Sequence, residues 1–509
     1  MEKKMATTKL QQARAYEKEN MSTVPSSERP CCHVTGPVGW INDPNGFSEY
    51  DGSYHLFFQY HPYSGKWGPM HWGHARSRDL ITWEYLPAAL APDEEYDRDG
   101  CYSGSAITLD DGRHLLMYTA VKIEDKGGNT REFQQQAIAV GDGINYTKSS
   151  ANPVIGTSMI PQGNSTSDFR DPKVFWENGR YYAVVGSRDK DGFGEALLYE
   201  SPDCMNWQFV TIVDKSGGKF GKMWECPDYF ELNGRRILMA SPQELTGDEG
   251  FYPGSLSVFF IGSAGADLLL NREAIQLIDE GPDFYAPQTM LAGDGRRLMI
   301  GWMQNWETSD TQSAGRKIFG QMTVPRELEY KNERVYQNPV REIETYRKGK
   351  IICRGATVCG ETYLEGINGR IIDLAVTIDF SKNAGLRDFR IELARDDEHS
   401  TKMCYDPQNS MVTIDRSRSG CPENPTNIRK FKVEPQRSIL KIRMLLDKNS
   451  IEFFFNDGQK AASISIYTPL SADAICFYAE SEIKMDIEKY DLLSPSTVNL
   501  DDLAGKIVC

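Results

Sequence analysis

The chain has no apolar run approaching the ~20 residues that a membrane helix needs. Its best stretch, around residues 259–270, is broken by Ser263, Gly265 and Asp267, which excludes a helical membrane span. It has no C-x-x-C pair: eleven cysteines are scattered singly apart from Cys31-Cys32, which argues against a zinc ribbon or thioredoxin-like redox chemistry. Positive charge is also in short supply. Lys and Arg number 57 against 72 Asp and Glu, for a net charge of −15. A nucleic-acid or anionic-membrane partner is disfavoured, because phosphate binding depends on clustered Lys and Arg, and a phosphorylated substrate would need a local basic pocket. Residues 1–20 are polar and carry no apolar stretch for export; with the odd cysteine count, the expected compartment is the reducing cytoplasm.

What is present is organised by turns. At 509 residues the chain has room for two or three domains. Short β-rich runs meet at Tyr50-Asp51-Gly52, Asp110-Asp111-Gly112, Glu177-Asn178-Gly179, Leu232-Asn233-Gly234 and Gly293-Asp294-Gly295. Asp-Gly and Asn-Gly are strong hairpin signals because both residues tolerate positive φ. The turn glycines are 60, 67, 55 and 61 residues apart, and a hydrophobic strand follows each one. That period suits four short strands per unit, the size of a propeller blade. Residues 77–83 and 201–207 share S-x-D-x-x-x-W, an equivalent corner in the first and third units. Further on, Phe389, Ile391 and Leu393 alternate with Arg390 and Glu392, the period of a half-buried strand. The expected fold is all-β: a five-bladed β-propeller followed by a C-terminal β-sandwich. The expected boundaries are a helical extension (helix over 8–20) and linker over residues 1–30, the propeller over 31–330, a linker over 331–348 and the sandwich over 349–509.

Counting back from the turn glycines aligns the chemistry. Asp43, Ser103, Asp171 and Glu225 lie eight or nine residues before their turns; in the fifth unit that place is held by Ala286, beside Tyr285. Equivalent positions on successive blades form a ring around the propeller axis, so three carboxylates distant in sequence should meet at one mouth of the channel. Such a ring is electrostatically costly and is tolerated where pKa tuning is useful. Proline follows each acid directly or one residue later, in Asp43-Pro44, Asp171-Pro172 and Glu225-Cys226-Pro227, and should hold the carboxylate in extended geometry. Arg170 should keep its neighbour Asp171 ionised, and the apolar flank Met223-Trp224 should desolvate Glu225, as suits a general acid. A lone Asp-Pro is a turn signal, as at Asp406-Pro407. Three acids at one offset of a repeat point instead to a glycosidase of the retaining kind, with one carboxylate as nucleophile and one as acid/base.

These residues also resemble a known family. Trp40-Ile41-Asn42-Asp43-Pro44-Asn45-Gly46, Tyr102-Ser103-Gly104-Ser105, Phe169-Arg170-Asp171-Pro172 and Trp224-Glu225-Cys226-Pro227-Asp228 are similar to the signature blocks of glycoside hydrolase family 32, the family of invertases, sucrose-6-phosphate hydrolases, inulinases and levanases. The resemblance covers about residues 31–328 and runs more faintly through 450–458. It implies that Asp43 is the nucleophile at C2 of a β-fructofuranosyl unit, that Glu225 protonates the leaving oxygen and later activates water, and that Asp171 holds fructose hydroxyls. It implies Asn42, Gln59, Trp67, Tyr102, Ser103 and Arg170 around the ring, with Tyr285, in the matching block Phe284-Tyr285-Ala286-Pro287-Gln288, as a further substrate contact. Apart from the resemblance, Trp302 and Trp306 open a loop past the fifth blade's second strand and are candidate substrate contacts walling the pocket. Two positions depart from the family: Tyr102, where Phe is frequent, and Ala120, where Gly is frequent.

The activity so implied is retaining cleavage of terminal β-D-fructofuranosyl residues from sucrose, sucrose-6-phosphate or short fructo-oligosaccharides through a covalent fructosyl-enzyme. It needs no cofactor and no metal; His71-x-x-His74 has no third ligand placed beside it. The expected partner is a small sugar, with no nucleic acid and no membrane, and a homodimer stays open. Rival readings are a fructosyltransferase using sucrose as donor, an inverting arabinan-type glycosidase on a similar frame, and a sugar-binding homologue without turnover. The sandwich carries no catalytic constellation.

Overall fold

The structure, a computed structural model, describes residues 8–125, 127–247, 251–313, 315–383 and 386–493. Its first part is a five-bladed β-propeller. Blade one comprises Gly39–Tyr50, Ser53–His61, His71–Ser77 and Trp83–Leu90; blade two, Gly100–Thr108, His114–Asp125, Thr130–Gly141 and Tyr146–Lys148. Blade three comprises Phe169–Glu177, Arg180–Arg188, Gly194–Ser201 and Gln208–Lys215; blade four, Met223–Leu232, Arg235–Gln243, Val258–Ala264 and Leu270–Leu277. The first strand of every blade is innermost, and these five strands contact one another in a closed ring.

The turn residues act as their chemistry dictates. Asp51, Asn178 and Asn233 have φ of 48°, 50° and 48°, and each is followed by a glycine at positive φ, the backbone of a two-residue hairpin turn. The S-x-D-x-x-x-W corners are equivalent in atomic detail. Asp79 Oδ1 accepts from the amides of Ile81 and Thr82, and Asp203 Oδ1 from those of Met205 and Asn206. Each Trp indole then donates to the carbonyl three residues back, Trp83 to Leu80 and Trp207 to Cys204.

Blade five departs from the expected boundaries. Its inner strands Tyr285–Leu291 and Arg297–Trp302 are followed by an excursion carrying the helix Trp306–Gln312, and its outer strands are Arg326–Lys331 and Arg334–Pro339. The segment 331–348, expected to be a linker, therefore supplies the blade's outermost strand, through a turn in which Asn332 and Glu333 both adopt positive φ. A short 3-10 helix, Arg341–Tyr346, then leads directly into a strand of the second domain at Arg347. Within the excursion, Ile318–Phe319 pairs parallel with Gly39–Trp40, tying the end of the ring to its beginning.

The N-terminal helix Lys9–Asn20 starts in a capping box, with Thr8 Oγ1 accepting from the Gln11 amide and Gln11 Oε1 from the Thr8 amide. It packs on the outer strand of blade one with Ala13 and Glu17 buried. The C-terminal domain is sandwich-like. The 19-residue strand Ala474–Leu492 pairs with Phe389–Arg395 in one part and with Ile372–Asp379 in another, so one strand serves both layers over a shared apolar core. Where this domain meets the propeller, apolar packing surrounds fully buried ion pairs: Arg326 with Asp279 and Glu452, Arg416 with Asp283, and His33 between Asp447 and Glu452.

Candidate active site

In all five blades the innermost strand breaks register at the same end of the channel: between Ile41 and Pro44, Tyr102 and Gly104, Glu225 and Asp228, Tyr285 and Gln288, and opposite Arg170–Lys173 in blade three. A bulge adds a residue and re-aims the side chains beside it. Repeated around the ring, it turns Asp43, Ser103, Asp171, Glu225 and Tyr285 toward one mouth.

Asp43 is buried. Its Oδ2 accepts from Ser103 Oγ at 2.6 Å and its Oδ1 from Asn42 Nδ2 at 3.0 Å. Asn42 is in turn fixed by the Trp40 indole, which donates to its Oδ1 at 2.8 Å. Burial first, and the nearby Glu225 second, raise the Asp43 carboxyl to about 6. Asp171 Oδ2 accepts from the Cys226 amide at 2.9 Å, and the Asp171 amide donates to Thr119 Oγ1 at 2.8 Å. The Cys226 thiol lies 3.6 Å from both Asp43 Oδ2 and Asp171 Oδ2, so the two carboxylates flank one sulfur. Glu225 accepts from Arg170 Nε at 2.9 Å, Gln243 Nε2 at 2.8 Å and Tyr285 Oη at 2.6 Å.

Three expectations about these acids are corrected. Asp171 is not extended despite the following proline: its φ is 67°, a left-handed conformation that Asp tolerates, held here by the bonds at both ends of the residue. It is not kept strongly acidic by Arg170 either. Burial and Glu225 outweigh the arginine and bring the carboxyl up to about 7, while the guanidinium turns to Glu225. Nor does Glu225 face its apolar flank, because Met223 and Trp224 are fully buried, with Trp224 stacked on Phe260; three polar donors meet the carboxylate instead.

The three acids line one open cavity of about 370 Å³ together with Asn42, Gln59, Trp67, Met70, Tyr102, Ser103, Glu132, Gln134, Ser167, Asp168, Arg170 and Trp306. Gln59 is buried, its Nε2 donating to the Cys101 carbonyl at 3.0 Å. Trp67 stands at the rim, 47% exposed, with its edge toward Tyr102. Two expected substrate contacts do not reach this cavity. Tyr285 sits behind Glu225 and orients it, and Trp302 is wholly buried between Trp40 and Trp306, leaving Trp306 as the wall. His71 and His74 serve separate partners, the Pro69 carbonyl and His55.

The comparisons with known proteins decide the family. Residues 33–339 match the glycosyl hydrolases family 32 N-terminal domain and residues 342–493 the family 32 C-terminal domain. The chain belongs to glycoside hydrolase family 32. Among relatives in this family is a sucrose-6-phosphate hydrolase of Zymomonas mobilis, 36% identical over 473 residues, covering 90% of this chain and 90% of the relative. A raffinose invertase of Escherichia coli is 34% identical, covering 88% and 92%. Among solved structures, a Bombyx mori family 32 beta-fructofuranosidase variant in complex with sucrose superposes with a TM-score of 0.82 at 30% identity, covering 97% of this chain and 99% of that one.

In this family 32 cavity and just behind its wall, several residues escaped the sequence reasoning. Gln134, Glu132 and Asp168 lie away from the turn offsets, and Gln243 comes from the second strand of blade four. Arg170 joins them to the acids: its Nη1 donates to Gln134 Oε1 at 3.2 Å and Asp168 Oδ1 at 3.5 Å, its Nη2 to Gln243 Oε1 at 3.3 Å. Only Phe169-Arg170-Asp171-Pro172 hinted at this network, through a cation placed beside a carboxylate.

Proposed function

We propose that the protein is a retaining β-fructofuranosidase acting on sucrose and related small fructosides. The observation that carries this reading is the meeting of Asp43, Asp171 and Glu225 at one end of the propeller channel in a family 32 chain. Asp43 acts as nucleophile on C2 of the fructosyl unit. Its carboxylate is pre-aimed by Ser103 and Asn42, which also favour its charged form. Glu225, oriented by Arg170, Gln243 and Tyr285, gives a proton to the departing glycosidic oxygen. A covalent fructosyl-enzyme results, and water, deprotonated by Glu225, then releases fructose with retained configuration. Asp171, fixed at backbone and side chain, accepts hydrogen bonds from fructose hydroxyls and stabilises positive charge developing on the ring. Gln59, Trp67 and Trp306 bound the sugar, with Tyr102 toward the leaving group. The cytoplasmic setting belongs to the same reading, supported by buried Cys32, Cys101, Cys204 and Cys226, none of them in a disulfide.

The test is direct. Asp43→Ala should lose about 10⁴-fold or more in kcat on sucrose while keeping the parent's thermal transition, and NMR of the first product should show β-fructofuranose. Near-parental turnover by the variant, or the inverted anomer from the parent, would sink the assignment.

A further inference from the structure

This inference rests on the reading just given and concerns the leaving group. The acid must touch the glycosidic oxygen, so the departing sugar lies beside Glu225, against the part of the wall that Arg170 and Gln134 connect to it. That wall is acidic. Among the described side chains lining the cavity, Asp43, Glu132, Asp168, Asp171 and Glu225 are carboxylates and Arg170 is the one cation.

The arginine is already engaged at every nitrogen. Its Nε donates to Glu225 at 2.9 Å, its Nη1 to Gln134 and Asp168, and its Nη2 to Gln243. Four of its five N–H groups are taken by these partners, and its charge is shared among Glu225, Asp168 and Asp171. Arg188 lies 3.6 Å from Asp168 but is also paired with Glu244 at 3.4 Å and does not line the cavity. Glu132 is held by Gln134 Nε2 at 2.8 Å. Its field reaches the leaving-group side: after burial, Glu132 is the largest influence pushing the Tyr102 phenol up to about 12.

A phosphate monoester would bring about −1.5 to −2 charges, and phosphate recognition depends on free N–H donors or cations. The wall offers carboxylates instead. We propose that this site takes uncharged leaving groups, such as the glucose of sucrose, and discriminates against a phosphorylated one, with Glu132 and Asp168 as the specificity-determining side chains. The repulsion is electrostatic and partly solvent-exposed, so salt should weaken it.

The experiment compares kcat/KM for sucrose and for sucrose carrying a 6-phosphate on its glucosyl unit, at about 10 mM and about 300 mM salt. Sucrose should be preferred by at least ~100-fold at low salt, with the gap narrowing at high salt. Glu132→Gln and Asp168→Asn should each move the ratio of the two constants toward the phosphorylated sugar by roughly 10-fold. The ratio is read within each variant, so partial loss of folded protein cancels. Equal constants, a preference for the phosphorylated sugar, or a ratio moved by neither variant nor salt overturns the proposal while leaving the β-fructofuranosidase reading standing. Failure to cleave either sugar overturns that reading and this one together.

Discussion

Asp43 and Asp171 are both carboxyls raised by burial and by Glu225, and for Asp43 the opposing contacts carry a prediction. Burial and Glu225 raise Asp43 to about 6, whereas hydrogen bonds from Ser103 and Asn42 pull the other way. In the proposed mechanism both Asp43 and Asp171 act ionised, so kcat/KM should fall as pH drops below about 7 and more steeply below about 6. Ser103→Ala removes a donor to the charged form and should shift that acid limb to higher pH; superimposable profiles of parent and variant would contradict the role given to Ser103. The acids themselves were legible from their common offset and flanking prolines. The partner of Arg170 was not. Sequence adjacency suggested Asp171, but neighbours along a strand point to opposite faces, and the guanidinium reaches across to the next blade.

At the scale of elements, the bulge is what the hairpin count could not supply. In blade four Asp228 pairs with Met239, but Glu225 pairs with Ser241, one residue out of step. A one-residue slip exchanges the faces of a strand, which is how Gln243 comes to bond Glu225 although no spacing announced it. The N-terminal helix offers a second lesson. Its start was readable from Thr8 and its polar run, but not its buried Glu17, which accepts from the Ala88 amide at 3.1 Å. Burial raises the Glu17 carboxyl from 4.5 to about 7. The folded form therefore holds its proton more tightly than the unfolded one, and docking of the helix is strongest below pH 4.5 and weakens as pH rises to about 7. Hydrogen exchange of the helix amides should follow that course in the parent and flatten in Glu17→Gln.

On the scale of the whole molecule, propeller and sandwich are joined through charges with no access to water. Arg326 donates to Asp279 Oδ2 at 2.9 Å and Glu452 Oε2 at 2.5 Å. Arg326→Met would leave Asp279 buried without its cation and Glu452 with His33 alone, and should cost about 3–5 kcal/mol in denaturant unfolding; a loss below about 1 kcal/mol would show that the network adds little. His33 adds a pH dependence. Its two carboxylate partners outweigh burial and lift it from 6.5 to about 9. Its contribution is complete below pH 6.5 and is lost as pH rises through about 9. Asp447 and Glu452 are lowered in the fold, so their contribution is lost instead on the acid side. Unfolding midpoints measured from about pH 6 to about pH 10 should fall for the parent and stay flatter for His33→Gln.

The repeat of Asp-Gly and Asn-Gly turns, the period-two strands and the placement of Asp43, Asp171 and Glu225 at one offset were determined by the amino-acid sequence alone. Each depends on local backbone preference or on a period that recurs along the chain. Tertiary structure decided the rest: the reach of Arg170 to Glu225, the retreat of Tyr285 and Trp302 behind the cavity wall, and the acidic rim of Glu132 and Asp168. Those contacts join residues from different blades, and only the closed ring and its bulges bring them within bonding distance.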